Sequence, residues 1–92
     1  MPVLVFDHHL KDFDEWFKLF SANPPPNIGR WRLARGIEDR NRVYVVGEMD
    51  ESEVEEVKRF FESEKMRNVL GQADDMSTTP IERIWLEDIT PG

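Results

Sequence analysis

Two adjacent histidines, His8 and His9, are the only imidazoles in a chain of 92 residues that contains no cysteine. An imidazole titrates near pH ~6.5 and serves as a general base or as a metal ligand. Both sit in the stretch VLVFDHHLKDFDEWFKLF, Val3 to Phe20, whose first part reads as a strand. Neighbouring side chains leave a strand on opposite faces, so the two rings cannot serve one site. That disfavours a two-histidine metal centre. Carboxylates such as Glu48 would have to complete any zinc or iron site, and no ligand spacing is visible, so no metal is expected. His8 shares its face with Leu4, Phe6 and Leu10, which makes it the candidate catalytic residue, a base toward a weakly acidic phenol or enol. A hydrogen-bonded structural histidine near a strand end is the competing reading. Trp16, Trp31, Tyr44 and Trp85 are the bulky aromatics that a flat ligand needs, although a core or a subunit interface uses the same residue types. With Phe6 as an apolar wall and Arg35 and Glu48 as polar groups, Trp16, Tyr44 and Trp85 complete the ligand-binding candidates.

The elements that position these residues follow from periodicity. Val3 and Val5 point one way and Leu4 and Phe6 the other, so the first strand is apolar on both faces. Asp12 reads as a helix N-cap with Glu15 as the partner of a capping box. Phe13, Trp16, Phe17 and Phe20 then recur at helical spacing as one aromatic stripe. Pro24 to Pro26 lack amide donors and favour a stiff, extended path, giving a connection or rim element. Trp31 to Ile37 and Arg42 to Met49 read as a hairpin turning at Glu38 to Asn41. Asp50 or Ser52 caps a second helix carried by Val54, Val57 and Phe61. Ser63 restarts a short third helix with Met66, Val69 and Leu70 on its buried side, and Gly71 ends it. Ile81 to Ile89 is the last strand.

The order strand, helix, strand, strand, helix, strand is the split βαβ arrangement of ferredoxin-like folds. An α+β domain is expected, with a four-stranded antiparallel sheet and its helices on one face. Because the first and last strands are apolar on both sides, the bare face requires a second subunit. Size points the same way. A single domain this small buries only roughly 60 to 65% of the surface of its unfolded chain, and no disulfide can reinforce it.

Composition narrows the partners. A net charge of −7 opposes non-specific nucleic-acid binding and docking on anionic membranes. No apolar run approaches the roughly 20 residues that span a bilayer, and Met1-Pro2 opens directly into strand, so a cytoplasmic protein is expected. Arg30, Arg32, Arg35, Arg40 and Arg42 cluster just before the acidic run from Glu48 to Glu56. This is either a solvated hairpin beside a solvated helix or, with one arginine turned inward, the wall of a pocket for an anion.

The chain resembles the dimeric α/β-barrel superfamily, and within it the small proteins related to antibiotic biosynthesis monooxygenases. The resemblance rests on His8 followed by Asp12-Phe13-Asp14-Glu15-Trp16, on the hairpin from Arg35 to Val43 and on Gly47-Glu48-Met49-Asp50-Glu51. The short helix from Ser63 to Leu70 and the closing Ile84-Trp85-Leu86-Glu87 extend it over nearly the whole chain. It implies a homodimer with two sheets face to face, and in each subunit a pocket between sheet and helices. It also implies a cofactor-independent monooxygenase-like activity, in which the protein deprotonates an aromatic substrate whose anion reacts with oxygen. Heme-degrading members use an asparagine on the first strand, a tryptophan and a helical histidine. This chain has Asp7 or His8 on that strand and no histidine after His9, so it departs from that pattern. No flavin, nicotinamide or nucleotide motif is present.

Three other readings stand beside this one. A dimer that binds a small hydrophobic or aromatic ligand without catalysis fits the same residues. Removal of Met1 would leave an N-terminal Pro2, whose secondary amine serves as base in tautomerases, although element order and length fit that superfamily poorly. RNA-recognition domains share the element order, but Asn41 to Glu48 lacks their basic-glycine-aromatic run.

Overall fold

A computed structural model describing residues 1–92 shows four strands and three α-helices in the order β1 (Pro2–His9), α1 (Phe13–Ala22), β2 (Trp31–Arg35), β3 (Arg42–Glu48), α2 (Val54–Glu62), α3 (Glu64–Asp75) and β4 (Glu82–Glu87). The strands form one antiparallel sheet in the order β2-β3-β1-β4. This is the α+β, ferredoxin-like arrangement expected from the sequence. No helix is long and apolar enough to cross a membrane.

Register divides the residues between the two faces. His8 pairs with Val43, Phe6 with Val45 and Leu4 with Gly47, while Trp31 pairs with Gly47 and Trp85 with Leu4. All of these face the helices. There Leu4, Phe6, Val43 and Val45 join Trp16 of α1, Val57 and Phe61 of α2, and Met66 and Ala73 of α3 in one buried core. The opposite face carries Val3, Val5, Tyr44, Val46, Ile84 and Leu86, and no element of the chain lies over it. Tyr44, Ile84 and Leu86 are 40%, 43% and 51% exposed.

Local chemistry sets the helix ends, with three departures from expectation. Asp12 caps α1 by accepting from the Asp14 amide at 2.9 Å, but Glu15 turns away to pair with Lys18, so no capping box forms there. The box occurs instead at Asp50 and Glu53, where a short 3-10 turn, Glu51–Glu53, leads into α2. Helix α3 starts at Ser63, which accepts from the Met66 amide, and runs through Gly71 to Asp75. Glycine inside a helix costs about 1 kcal/mol relative to alanine. Packing of buried Ala73, the bridge between Leu10 and Ser77 and the Lys11 amide bond to the Met76 carbonyl at 2.8 Å hold the helix end against β1. The last strand is shorter than expected, and Ile89 beyond it is 85% exposed.

The proline-rich connection is shaped by Trp31. Its indole Nε1 donates to the Pro26 carbonyl at 3.2 Å, and its ring lies flat against Gly47. A Cβ on Gly47 would stand 2.7 Å from three atoms of that ring. Trp31 therefore occupies space that only glycine leaves free. Gly47→Ala is expected to push the indole aside and destabilise the fold by about 1–3 kcal/mol, as overpacked sites do. Urea unfolding, with tryptophan fluorescence as the probe, measures this, and an unchanged midpoint would contradict the tight contact.

Candidate functional site

His8 stands near the end of β1, where the following residues are held on both sides. On one side the Leu10 amide donates to the Asn41 carbonyl at 2.8 Å, and on the other the Thr78 amide donates to the His9 carbonyl at 2.7 Å. Asn41 also accepts from the Phe13 amide at 3.2 Å, which ties the start of α1 to the β2–β3 turn. The imidazole is thus fixed between the sheet and the aromatic stripe of α1. Its ring lies 5.0 Å from that of Trp16 and stacks at 6.2 Å on Phe6.

The side chain is 4% exposed, and Nδ1 is enclosed without a hydrogen-bond partner. Burial pushes the imidazole down from its ordinary 6.5 to about 4, against the pull of the Asp7 and Asp74 carboxylates. Desolvation wins because a buried cation loses its hydration and here has no adjacent anion in contact. At neutral pH His8 is an uncharged ring, with one nitrogen able to donate and the other to accept.

Beside it lies a cavity with about 50 Å³ open to the centres of water-sized molecules. That space would take roughly four waters, at about 10–15 Å³ each. Of its 14 lining residues 11 are hydrophobic, including Phe6, Trp16, Phe20, Trp31 and Phe61. The only polar side chains are His8 and Asn23, and the Asn23 Nδ2 is already committed to the Leu19 carbonyl at 3.0 Å. The lining becomes half-buried at Leu19, Phe20, Asn23, Val69 and Leu70, so the mouth opens between the end of α1 and α3. Pro25, buried, forms part of the wall. Its segment is anchored by Glu53, which accepts from Asn27 at 2.9 Å and Arg30 at 3.0 Å.

Of the sequence candidates, the cavity brings together His8, Phe6 and Trp16. Trp31, considered among the bulky aromatics, joins them. The other four lie elsewhere. Arg35 turns to the surface, with its guanidinium 3.8 Å over the Phe13 ring and its Nε bonded to the Arg40 carbonyl, so no arginine lines the cavity. Tyr44 and Glu48 project from the opposite face of the sheet, because both alternate with the inward Val43, Val45 and Gly47. Trp85 faces the helices but lies in a separate cleft with Lys58, Glu62 and Arg83, beyond Leu4 and Phe61. His9 is on the open face, its Nε2 3.7 Å from Asp7 Oδ1, while Arg42 binds Asp7 Oδ2 at 3.3 Å. Pro2 pairs with Glu87 at the far end of β1, six residues or roughly 20 Å from His8 at strand rise. Asn23, Pro25, Phe20, Phe61 and Met66 are lining residues that the sequence reading left out.

No protein-family model matches the sequence, and no curated protein matches it in sequence. Solved structures do match in shape. A cofactor-independent oxygenase of Streptomyces nogalater, SnoaB, superposes with a TM-score of 0.75 at 13% identity, covering 98% of this chain and 94% of that one. An antibiotic biosynthesis monooxygenase gives 0.72 at 10% identity, over 98% and 100% of the two chains. A conserved protein of Methanosarcina mazei also gives 0.72, at 11% identity, over 92% and 89%. The chain thus has the ferredoxin-like fold found in proteins of the antibiotic biosynthesis monooxygenase type.

Proposed function

We propose that the protein binds a small, largely apolar molecule in the cavity between sheet and helices, with His8 as its polar anchor. The observation that carries this reading is a fixed, almost wholly buried imidazole without a hydrogen-bond partner on the wall of an apolar cavity. Nδ1 is sealed off within the protein, so the nitrogen left for a ligand is Nε2, and one buried hydrogen bond there contributes about 1 kcal/mol. The volume sets the size. At a third of the ~150 Å³ that accommodates benzene in a closed apolar cavity, the space of about 50 Å³ does not enclose a whole ring, so a ring-sized ligand would lie partly in the open mouth.

Oxygenation without a cofactor is the second reading, favoured by the shared fold of SnoaB. His8 would take a proton from an activated CH2 group of the ligand and return it to the peroxide, the second hydrogen of that carbon leaving with the water. The carbanion would add to dioxygen, and the protonated hydroperoxide would lose water to leave a carbonyl. The geometry supports this step less than binding. Moving a proton from an acid of pKa ~10 to an imidazole near 4 spans six units, about 8 kcal/mol, which only the resulting ion pair could offset.

The open sheet face is proposed to be covered by a second copy of the chain. Val3, Val5, Val46, Ile84 and Leu86 form its apolar centre, while Asp7, Arg42 and Glu48 provide charged positions around them. Sedimentation at micromolar concentration is expected to show a dimer, and Ile84→Lys with Leu86→Lys a monomer. A monomeric wild-type chain would contradict the proposal.

His8→Phe keeps the cavity wall apolar and removes the anchor. It is expected to weaken binding of a small hydroxylated ring about tenfold, as for loss of one buried hydrogen bond, measured by calorimetric titration. Undiminished affinity would return His8 to a purely structural role. Stability should follow the same residue. As pH falls below 6.5 the unfolded chain protonates His8, whereas the folded chain does so only near 4. Stability is therefore highest above 6.5 and falls through this window by about 3 kcal/mol from His8 alone. Urea midpoints at pH 7 and 4.5 should lie further apart for wild type than for His8→Phe, with identical pH dependence as the contrary result.

A further inference from the structure

Beyond binding itself, the lining determines which charge state a ligand carries. No cationic side chain borders the cavity, and the hydroxyl of Tyr44 and the guanidinium of Arg35 both point away from it. A carboxylate entering would lose its hydration without gaining a counterion, which is among the costliest of burials. The Asp7 and Asp74 carboxylates already act on His8 and repel a further negative charge. An ammonium group meets aromatic faces on Phe6, Trp16, Phe20, Trp31 and Phe61. Those faces are engaged with one another, however, as Phe6 with Phe61 at 5.0 Å and Trp16 with Phe20 at 5.4 Å. No carboxylate lines the cavity to complete a cation site.

The polar requirement is equally specific. Nδ1 of His8 is enclosed, so a ligand in the cavity meets the ring at Nε2, which donates in one neutral tautomer and accepts in the other. A hydroxyl group satisfies Nε2 in either tautomer, because it donates to the bare nitrogen and accepts from the protonated one. A carbonyl serves only the second case, and a methyl group neither.

We propose that the cavity beside His8 selects a neutral, single-ring, hydroxyl-bearing molecule of the phenol class and rejects aromatic carboxylates and ammonium ions. This selectivity rests on the small-molecule binding proposed above, and the experiment separates the two. Phenol, toluene, benzoate and benzylammonium are titrated at pH 7 into the wild-type protein and into His8→Phe, with nuclear magnetic resonance following the His8 ring signals. Phenol is expected to bind at least about tenfold more tightly than either ion and to shift the His8 signals where toluene does not. The phenol-to-toluene affinity ratio should fall about tenfold in His8→Phe. If that variant does not fold, the ring signals of the wild-type protein carry the same comparison. Benzoate or benzylammonium binding as tightly as phenol would overturn the selectivity and leave the binding reading intact. An unchanged ratio, or a His8 signal indifferent to phenol, would overturn the role of the hydroxyl. Failure of all four to bind would overturn the binding reading and the selectivity together.

Discussion

The alternation of side chains along β1 is the constraint on which the rest of the molecule depends. This strand is paired on both edges, to β3 and to β4, so its register dictates theirs. Leu4, Phe6 and His8 go to the helices, and Val3, Val5, Asp7 and His9 go to the other side. A slip of one residue would exchange the two sets. It would bury an aspartate and a second histidine under the helices and expose Phe6. The apolar residues therefore fix the position of the imidazole in the cavity, since His8 cannot leave that face unless Leu4 and Phe6 leave it too.

Stability and site are built from shared parts. Glu53 closes the capping box that starts α2 and also holds Asn27 and Arg30 of the proline-rich segment that walls the cavity. Trp31 bonds the same segment through the Pro26 carbonyl and depends on Gly47 for room. Phe61 lies against Phe6 on one side and Trp31 on the other, and so separates the cavity by His8 from the cleft by Trp85. The walls of the cavity combine aromatic rings and Pro25 with the aliphatic side chains of Leu19, Val45, Met66, Val69 and Leu70. The imidazole is tolerated without a partner because it remains neutral. A protonated ring in the same place would bear the full desolvation of a buried cation.

The sequence made the fold legible because its signals were redundant. Binary pattern, caps and turn residues agreed for β1, α1 and the β2–β3 hairpin. Helix α3 runs past the local stop signal at Gly71 because long-range packing of Ala73 and Ser77 against the end of β1, which no window of sequence contains, competes with it. The site was only partly legible. Strand parity correctly separated His8 from His9, and the same parity applied to β3 puts Tyr44 and Glu48 opposite Val43 and Val45. Asn23 and Pro25 carried no comparable signal. Their place at the cavity depends on the path of an irregular segment that is set by the distant Glu53.

The central claim is that His8 is a neutral imidazole held in an apolar cavity, and its own titration tests that most directly. The histidine ring resonances followed by nuclear magnetic resonance from pH 8 to the acid limit of the folded state give both imidazoles separately. The account predicts that His8 stays uncharged through pH 5 and begins to titrate only near 4. A His8 midpoint at or above 6 would contradict it, because the ring would then be solvated or paired and could not act as the neutral anchor of the cavity.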